Sequence, residues 1–243
     1  MFEKKALLKA SLEAGQGPLC AQTDLRHMNA ESKSPPLMVP IRSLGANHRA
    51  RIATHLLALG EHDRYLRFGY MANDEQIQRY VDSLNFERDE IFGIYNRKLE
   101  LLAMAHLAYA PDKSHESCAE FGVSVNQTAR GRGYGARLFD RAAMHARNDG
   151  VNLMFIHALS ENTTMLKIAR NAGATVEKDG SEAEAYLCLR PATFDSRMTE
   201  MLEEHLAQAD YRIKVKAKQF WDFLAGMQTV RRGVSDTGRN PPG

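Results

Sequence analysis

The stretch that decides the fold is residues 119–144, which read AEFGVSVNQTARGRGYGARLFDRAAM. Its first part, residues 120–125, is rich in β-branched and aromatic residues and predicts a strand. A short polar connection leads to three alternating glycines, and a helical pattern begins directly behind them. The apolar residues of that pattern recur at steps of one, three and four: Leu138, Phe139, Ala142 and Ala146.

The glycines at the mouth of this helix predict an anion site. Gly131, Gly133 and Gly135 let backbone N–H groups approach a ligand without an intervening Cβ. The first N–H groups of a helix have no internal partner, and the helix dipole adds positive potential at that end. A strand, a glycine loop and a helix start therefore favour a bound phosphate.

Two common phosphate loops do not fit this stretch. A Walker loop needs Gly-Lys-Ser/Thr, where this chain has Tyr134-Gly135-Ala136. A dinucleotide fingerprint needs Gly-x-Gly-x-x-Gly, and the spacing here is Gly-x-Gly-x-Gly. The stretch instead resembles the pyrophosphate loop of the GNAT superfamily of acyl-CoA N-acyltransferases, Arg/Gln-x-x-Gly-x-Gly/Ala. Arg130, Gly133 and Gly135 match that motif, with Val125 five residues before the arginine. The alternative is a glycine-rich turn that only closes a strand–helix unit.

The resemblance implies acetyl-CoA as co-substrate and no metal. In that superfamily the loop holds the pyrophosphate, and the strand before it holds the pantetheine arm and points one amide at the thioester oxygen. Asn162 has two compatible interpretations, because it can cap the next helix and also bond the pantetheine amide, as the matching GNAT asparagine does. The cofactor-binding residues that follow from the resemblance are Val123, Ser124, Val125, Arg130, Gly131, Arg132, Gly133, Tyr134, Gly135, Ala136 and Asn162.

The rest of the chain fits the same resemblance. Hydrophobic periodicity predicts the order β-α-α-β-β-β-α-β-α-β-β, which is the GNAT order. We therefore expect an α/β (α+β) fold, with a mixed central sheet of six to seven strands and flanking helices. The predicted organisation is a partly flexible N-terminal extension, an acetyltransferase domain, a C-terminal helical extension and a disordered tail, at residues 1–36, 37–190, 191–232 and 233–243.

Composition sets limits on partners and location. The 243 residues are 44% hydrophobic and 26% charged, which is ordinary for a globular protein. The net charge of +2 is too small to predict attraction to a nucleic acid or to a membrane. No apolar run approaches the ~20 residues of a membrane span. Lys4 and Lys5 precede only three apolar residues, so no signal-peptide core exists. We expect a cytoplasmic protein.

The C-terminal part, residues 194–227, has an apolar stripe at helical spacing. Such a face needs to be buried, either on its own domain or on a second copy, and we favour a homodimer. Basic residues beside Phe220 and Trp221 raise the alternative of nucleic-acid binding. Acidic residues share the same region, so a solvated basic helix face is the simpler interpretation and nucleic acid is not an expected partner.

Acetyl transfer to a primary amine needs a base for the amine, stabilisation of the carbonyl oxygen and departure of the thiolate. Glu120 is the first candidate for the base, because Ala119-Glu120-Phe121 resembles bacterial protein-lysine acetyltransferases of the superfamily. Residues 64–68 and 159–166 share that local resemblance. Side chains alternate along a strand, so Glu120 is expected on the face opposite to that of Phe121 and Val123, unless a bulge changes its face. The plain alternative is a surface glutamate paired with an arginine.

His157 is the second candidate, since a histidine titrates near neutrality and lies here near the end of a predicted strand. It can also be a merely satisfied polar residue. One position departs from the family pattern: Ala169 stands where many GNAT enzymes carry the tyrosine that protonates the thiolate. This departure keeps open a non-catalytic acyl-CoA-binding regulatory module. The sequence does not choose between a protein lysine and a small-molecule amine as acceptor.

Overall fold

The computed structural model of the chain describes residues 39–109, 118–192 and 194–236. The predicted N-terminal extension and residues 237–243 of the predicted tail lie outside these ranges. No helix within the described part is both long enough and apolar enough to cross a membrane.

The described residues contain seven strands and six α-helices. The strands are β1 (Arg42–Ser43), β2 (Glu90–Tyr95), β3 (Leu101–Tyr109), β4 (Cys118–Val125), β5 (Leu153–Leu159), β6 (Thr175–Asp179) and β7 (Glu182–Cys188). The helices are α1 (Arg49–Leu57), α2 (Glu61–Phe68), α3 (Asp74–Ser83), α4 (Tyr134–Asn148), α5 (Thr163–Asn171) and α6 (Phe194–Asp236).

All seven strands form one sheet in the order β1-β2-β3-β4-β5-β7-β6. Neighbouring strands are antiparallel except β4 and β5, which are parallel because α4 connects them. These two strands pair only where Cys118–Glu120 meets Leu153–Phe155, and beyond that point they part. On its other edge β4 pairs with β3 as far as Val125. The predicted α/β fold with a mixed sheet is confirmed, and the sheet is open in the middle.

Each face of the sheet is covered by helices. One apolar cluster joins the sheet to α4 and α5, and Phe92, Phe121, Phe139 and Met154 are fully buried in it. A second cluster joins the other face to α1 and α3 through four further fully buried residues, Ile52, Leu56, Ile77 and Val81. The strand period of two therefore sends alternate residues of β2 to different cores, Phe92 and Ile94 to the first and Ile91 and Tyr95 to the second.

Helix α2 is the element that the sequence pattern did not predict. None of its eight residues is buried, and its apolar residues occur only at positions 65, 66 and 68, which is too short a run to show helical periodicity. It ends at Gly69, whose φ of +76° is left-handed and whose N–H donates to the Tyr65 carbonyl at 2.9 Å. The following helix begins as the sequence indicates, with a capping box between Asn73 and Gln76.

Helix α6 packs on its own domain through a polar interface. Buried Arg141 of α4 lies 3.2 Å from Glu204 and 3.4 Å from Glu200. His145 Nδ1 bonds Glu200, and its Nε2 lies 3.3 Å from Asp149. The outer face of the helix keeps exposed apolar side chains, at Met198, Met201, Leu202, Leu206 and Ile213. The helix continues to Asp236, so it is longer than predicted, and the homodimer stays a prediction.

This ion cluster makes the docking of α6 depend on pH. Burial alone would lower the pKa of His145, but its hydrogen bonds to Asp149 and Glu200 outweigh burial and raise the pKa to about 9. Since this value lies above the ~6.5 of an unfolded histidine, the stabilisation is complete below pH ~6.5 and is lost as the pH rises towards 9. We expect the melting temperature to fall by about 5 °C between these limits, followed by circular dichroism.

The test variant is His145→Gln, and its control is His205→Gln. Glutamine at position 145 does not titrate, so this variant should melt lower at pH 6.5 and lose most of the pH dependence. His205 is exposed on α6 and its variant should keep the wild-type slope. If the melting temperature of His145→Gln still falls with pH as in the wild type, the pH dependence arises from other groups.

Candidate active site

The parting of β4 and β5 opens a cleft of about 1350 Å³ through the sheet. The glycine loop and the start of α4 lie at one end of the cleft. Helix α2 and strand β7 also line the cleft, and α2 does so from the face of the sheet opposite α4. The cleft therefore extends from the predicted anion site to the α2 face of the sheet, and we call the part on that face the chamber.

The backbone of β4 presents polar groups to the gap. Asn126 N–H donates to the Leu102 carbonyl at 2.8 Å, so these two residues form a hydrogen-bonded pair of the antiparallel ladder. Hydrogen-bonded pairs alternate along such a ladder, and the β3–β4 register is unbroken. The N–H and C=O groups of Phe121, Val123 and Val125 therefore point away from β3, towards β5. Those of Val123 and Val125 lie beyond the last β4–β5 pair, at the gap.

The glycine loop is shaped to present N–H groups. Gly131 and Gly133 have φ values of +74° and +73°, a conformation that residues with a Cβ adopt at a cost. Gly133 is the N-cap of α4, and no side chain caps the helix there. At Gly135 a Cβ would lie 3.3 Å from Ile168 of α5 and 3.9 Å from Val125. The loop thus brings strand, helix and uncapped N–H groups together, as an anion cradle requires.

The other predicted loop residues differ in their placement. Tyr134 and Ala136 line the cleft, whereas Arg132 is exposed and does not. The Arg130 guanidinium pairs with the Asp63 carboxylate of α2, so this ion pair spans the cleft at its mouth. Asn162 also lines the cleft, and its side chain accepts from Met165 N–H at 3.1 Å as the N-cap of α5. Its capping role is confirmed, and its role in binding a cofactor stays a prediction.

Glu120 lines the cleft on the face of α2. The regular β3–β4 register shows that no bulge occurs here, so alternation groups Glu120 with Gly122 and Ser124, away from Phe121. Within the described residues the Glu120 carboxylate has neither a salt bridge nor a hydrogen bond. His157 lies on the same face of β5, 3.7 Å from Glu184 of β7. The structure places both candidate bases in one chamber.

Ser124 belongs to a buried pair that sequence reasoning missed. His55 of α1 lies 2.9 Å from Ser124 Oγ through Nε2 and 2.9 Å from the Leu101 carbonyl through Nδ1. A carbonyl only accepts, so Nδ1 carries the proton and Ser124 donates to Nε2. Burial lowers the pKa of His55, which keeps this neutral arrangement. The pair ties α1 to two strands, and no local motif in the sequence marks it.

The candidates for the acid that protonates the thiolate differ in whether they line the cleft. Ala169 is fully buried in the core, whereas its neighbour Ile168 faces the cleft. Tyr109 Oη donates to Asp149 at 2.9 Å and does not line the cleft; burial and the Asp149 charge raise its pKa. Tyr134, by contrast, lines the cleft.

A sheet that opens between two parallel strands, beside a helix start bordered by glycines, defines the class of acyl-CoA N-acyltransferases that the sequence resembles. The chain belongs to the acetyltransferase (GNAT) family, whose profile matches residues 53–174. No curated protein sequence matches the chain significantly.

Solved structures share the fold. The GNAT domain of S. lividans PAT superposes with a TM-score of 0.51 at 20% identity, over 61% of this chain and 89% of that one. A ribosomal-protein-alanine N-acetyltransferase from Brucella melitensis gives 0.50 at 15% identity, over 61% and 99%. The yncA protein of Salmonella typhimurium, solved with its cofactor acetyl-CoA, gives 0.50 at 15% identity, over 64% and 96%. These identities establish the fold alone.

The Asp63–Arg130 pair generates a prediction about affinity. Asp63 competes with an anionic ligand for the Arg130 guanidinium, so Asp63→Asn should strengthen CoA binding. A partly exposed ion pair contributes at most about 1 kcal/mol. We therefore expect an increase of about two- to fivefold in the association constant, measured by calorimetry at low salt.

Glu61→Gln is the matched control for this measurement. It removes one negative charge from the same helix, and Glu61 does not line the cleft. An equal gain in both variants would show a general change of potential rather than release of Arg130.

Proposed function

We propose that this protein is an acetyl-CoA-dependent N-acetyltransferase that transfers the acetyl group directly to a primary amine. One observation carries the proposal: the parted strands, the glycine cradle and the carboxylate of Glu120 all line one cleft. Family membership supports acyl-CoA chemistry, and acetyl-CoA is the cofactor of the similar Salmonella typhimurium structure. The catalytic domain that we propose spans residues 37–190.

The cradle and the strand edge fit different parts of acetyl-CoA. The uncapped N–H groups around Gly133 would hold the pyrophosphate, with Arg130 as a counter-charge. The gap-facing amides of Val123 and Val125 would bond the pantetheine arm, and Asn162 would bond its amide from the opposite side of the gap. One of the β4 amides would also stabilise the negative charge that develops on the thioester oxygen.

Glu120 would accept a proton from the incoming amine on the α2 face. The amine nitrogen then forms a bond to the thioester carbon, and the C–S bond breaks as the tetrahedral adduct collapses. The departing thiolate takes a proton from Tyr134 or from water. His157, which lies on the same face, would relay a proton between the chamber and solvent.

A non-catalytic acyl-CoA-binding module is the second candidate. Ala169 favours it, because the core position of this residue leaves no family-type acid beside the sulfur. Release of CoA thiol in the presence of a panel of primary amines separates the two, since a binding module takes up acetyl-CoA and releases none.

Gly133→Asp should abolish binding of CoA. The new side chain strains a backbone at φ +73° and adds a negative charge at the cradle, so we expect a loss of at least about 100-fold in affinity by calorimetry. Gly150→Asp is the control, because Gly150 has φ +84° and lies outside the cleft. Equal CoA affinity in the two variants would contradict the assignment of the cradle.

Glu120→Gln should lower kcat by about 100-fold or more while CoA affinity is nearly retained, because the amide cannot accept the proton. Rates should be compared over pH 6 to 9 at saturating acetyl-CoA. Glu182→Gln removes a carboxylate from the exposed rim of the same cleft and should change kcat little. If the Glu120 variant keeps wild-type turnover, the base lies elsewhere and His157 is the next residue to replace.

A further inference from the structure

Arg67 of α2 lies in the cleft on the same face as Glu120. Its guanidinium covers Gly122 of β4, where an added Cβ would lie 2.7 Å from Cζ and 2.8 Å from Nη1. Any residue other than glycine at position 122 would displace this group. The absence of a side chain at Gly122 therefore makes the space that the Arg67 guanidinium occupies.

A partly buried chain of hydrogen bonds fixes the guanidinium. Arg67 Nη2 donates to Tyr80 Oη at 2.9 Å, and Tyr80 Oη lies 2.8 Å from His106 Nδ1. His106 Nε2 lies 3.2 Å from Asp89, which also accepts from Arg88 at 2.7 Å. Although burial would raise the pKa of Asp89, the bonds from His106 and Arg88 hold it below its usual value. The ionised Asp89 accepts from Nε2–H, so Nδ1 accepts from Tyr80 and the chain runs in one direction.

Arg67 has no anionic partner among the residues that the structure describes. Within the part of the chain that the structure describes, other arginines form ion pairs, as Arg64 does with Asp74 and Arg130 with Asp63, but Arg67 forms none. Its hydrogen bond to Tyr80 uses one donor, which leaves others for the cleft. A partly buried cation without a counter-ion is costly, so its retention beside a cleft points to an anionic ligand.

We propose that Arg67 binds a carboxylate of the acceptor. This inference rests on the proposed function and names its substrate class: primary amines that carry a carboxylate near the amine. Glu120 and Gly122 are alternate residues on one face of β4, about 7 Å apart along the strand. The chamber therefore offers Glu120 to the ammonium and Arg67 to the carboxylate of one acceptor.

The geometry favours a carboxylate over other anions. A planar guanidinium with one edge already bonded presents a fork that suits the two oxygens of a carboxylate. The phosphates of CoA would occupy the cradle at the start of α4, where the uncapped N–H groups lie. The carboxylate can come from a free amino acid or from an acidic side chain next to a protein lysine, and both sources use the same chemistry.

Matched ligand pairs test the proposal on the protein saturated with CoA. One arm compares L-phenylalanine with 2-phenylethylamine and L-lysine with cadaverine. The other compares a Glu-Lys-Glu peptide with a Gln-Lys-Gln peptide, both capped at their ends. In at least one arm calorimetry should show about tenfold or greater preference for the carboxylate member. Equal affinities in both arms would overturn the proposal.

Two variants assign the preference to Arg67. Arg67→Gln removes the charge, and Gly122→Ala keeps it but displaces the guanidinium. Each should abolish the preference while CoA affinity stays within about twofold of wild type. Arg79→Gln, an exposed arginine of α3 outside the cleft, should retain it. Melting curves confirm that the variants are folded, and Gly122→Ala carries the test if Arg67→Gln is not.

Two further outcomes are distinguishable. If Arg67→Gln lowers turnover equally for both members of a pair, Arg67 acts on the thioester oxygen and the carboxylate subsite is wrong. If wild-type protein fails to bind CoA at all, the proposed function fails, whereas binding of CoA without discrimination between acceptors overturns only this inference.

Discussion

The parting of β4 and β5 is the constraint on which the rest of the site depends. The two strands share a ladder only as far as Glu120 and Phe155, so the backbone groups of β4 that face the gap beyond it need another partner. Helix α4 follows β4 and starts at the open end of the gap, which places its uncapped N–H groups beside that strand edge. A ligand with amides along its length and an anionic end satisfies both sets of groups at once.

Because side chains alternate along β4, one face of this strand packs in the core and the other face lines the cleft. Phe121 points into the core against Phe139 of α4, with ring centroids 5.0 Å apart. The alternate residues Glu120, Gly122 and Ser124 face the helices on the other side. A shift of register by one residue would bury the carboxylate among phenylalanines and expose the core. The apolar packing on one face therefore holds the reactive face in place.

The sequence predicted what depends on local pattern and missed what depends on distant contacts. The strand predicted over residues 120–125 lies within the observed β4, and the glycine loop follows it as predicted, because strand composition and glycine spacing are local signals. Helix α2 was missed because it buries no residue. Arg67 and His55 were not predicted as site residues because the residues that they meet on β4, Gly122 and Ser124, lie far away in the chain. Ala169 could be named from spacing, but its burial in the core could not.

The two charged groups in the chamber, Glu120 and Arg67, explain why a chain of hydrogen bonds holds Arg67 in place. Glu120 of β4 and Arg67 of α2 both line the cleft, yet they form no ion pair with each other. The chain from Tyr80 through His106 to Asp89 holds the guanidinium over Gly122 and away from an ion pair with the carboxylate. Because the arginine is fixed, both charged groups remain available to a ligand. Binding then needs no reorganisation of these groups. The buried network therefore serves the geometry of the cleft as well as the stability of the fold.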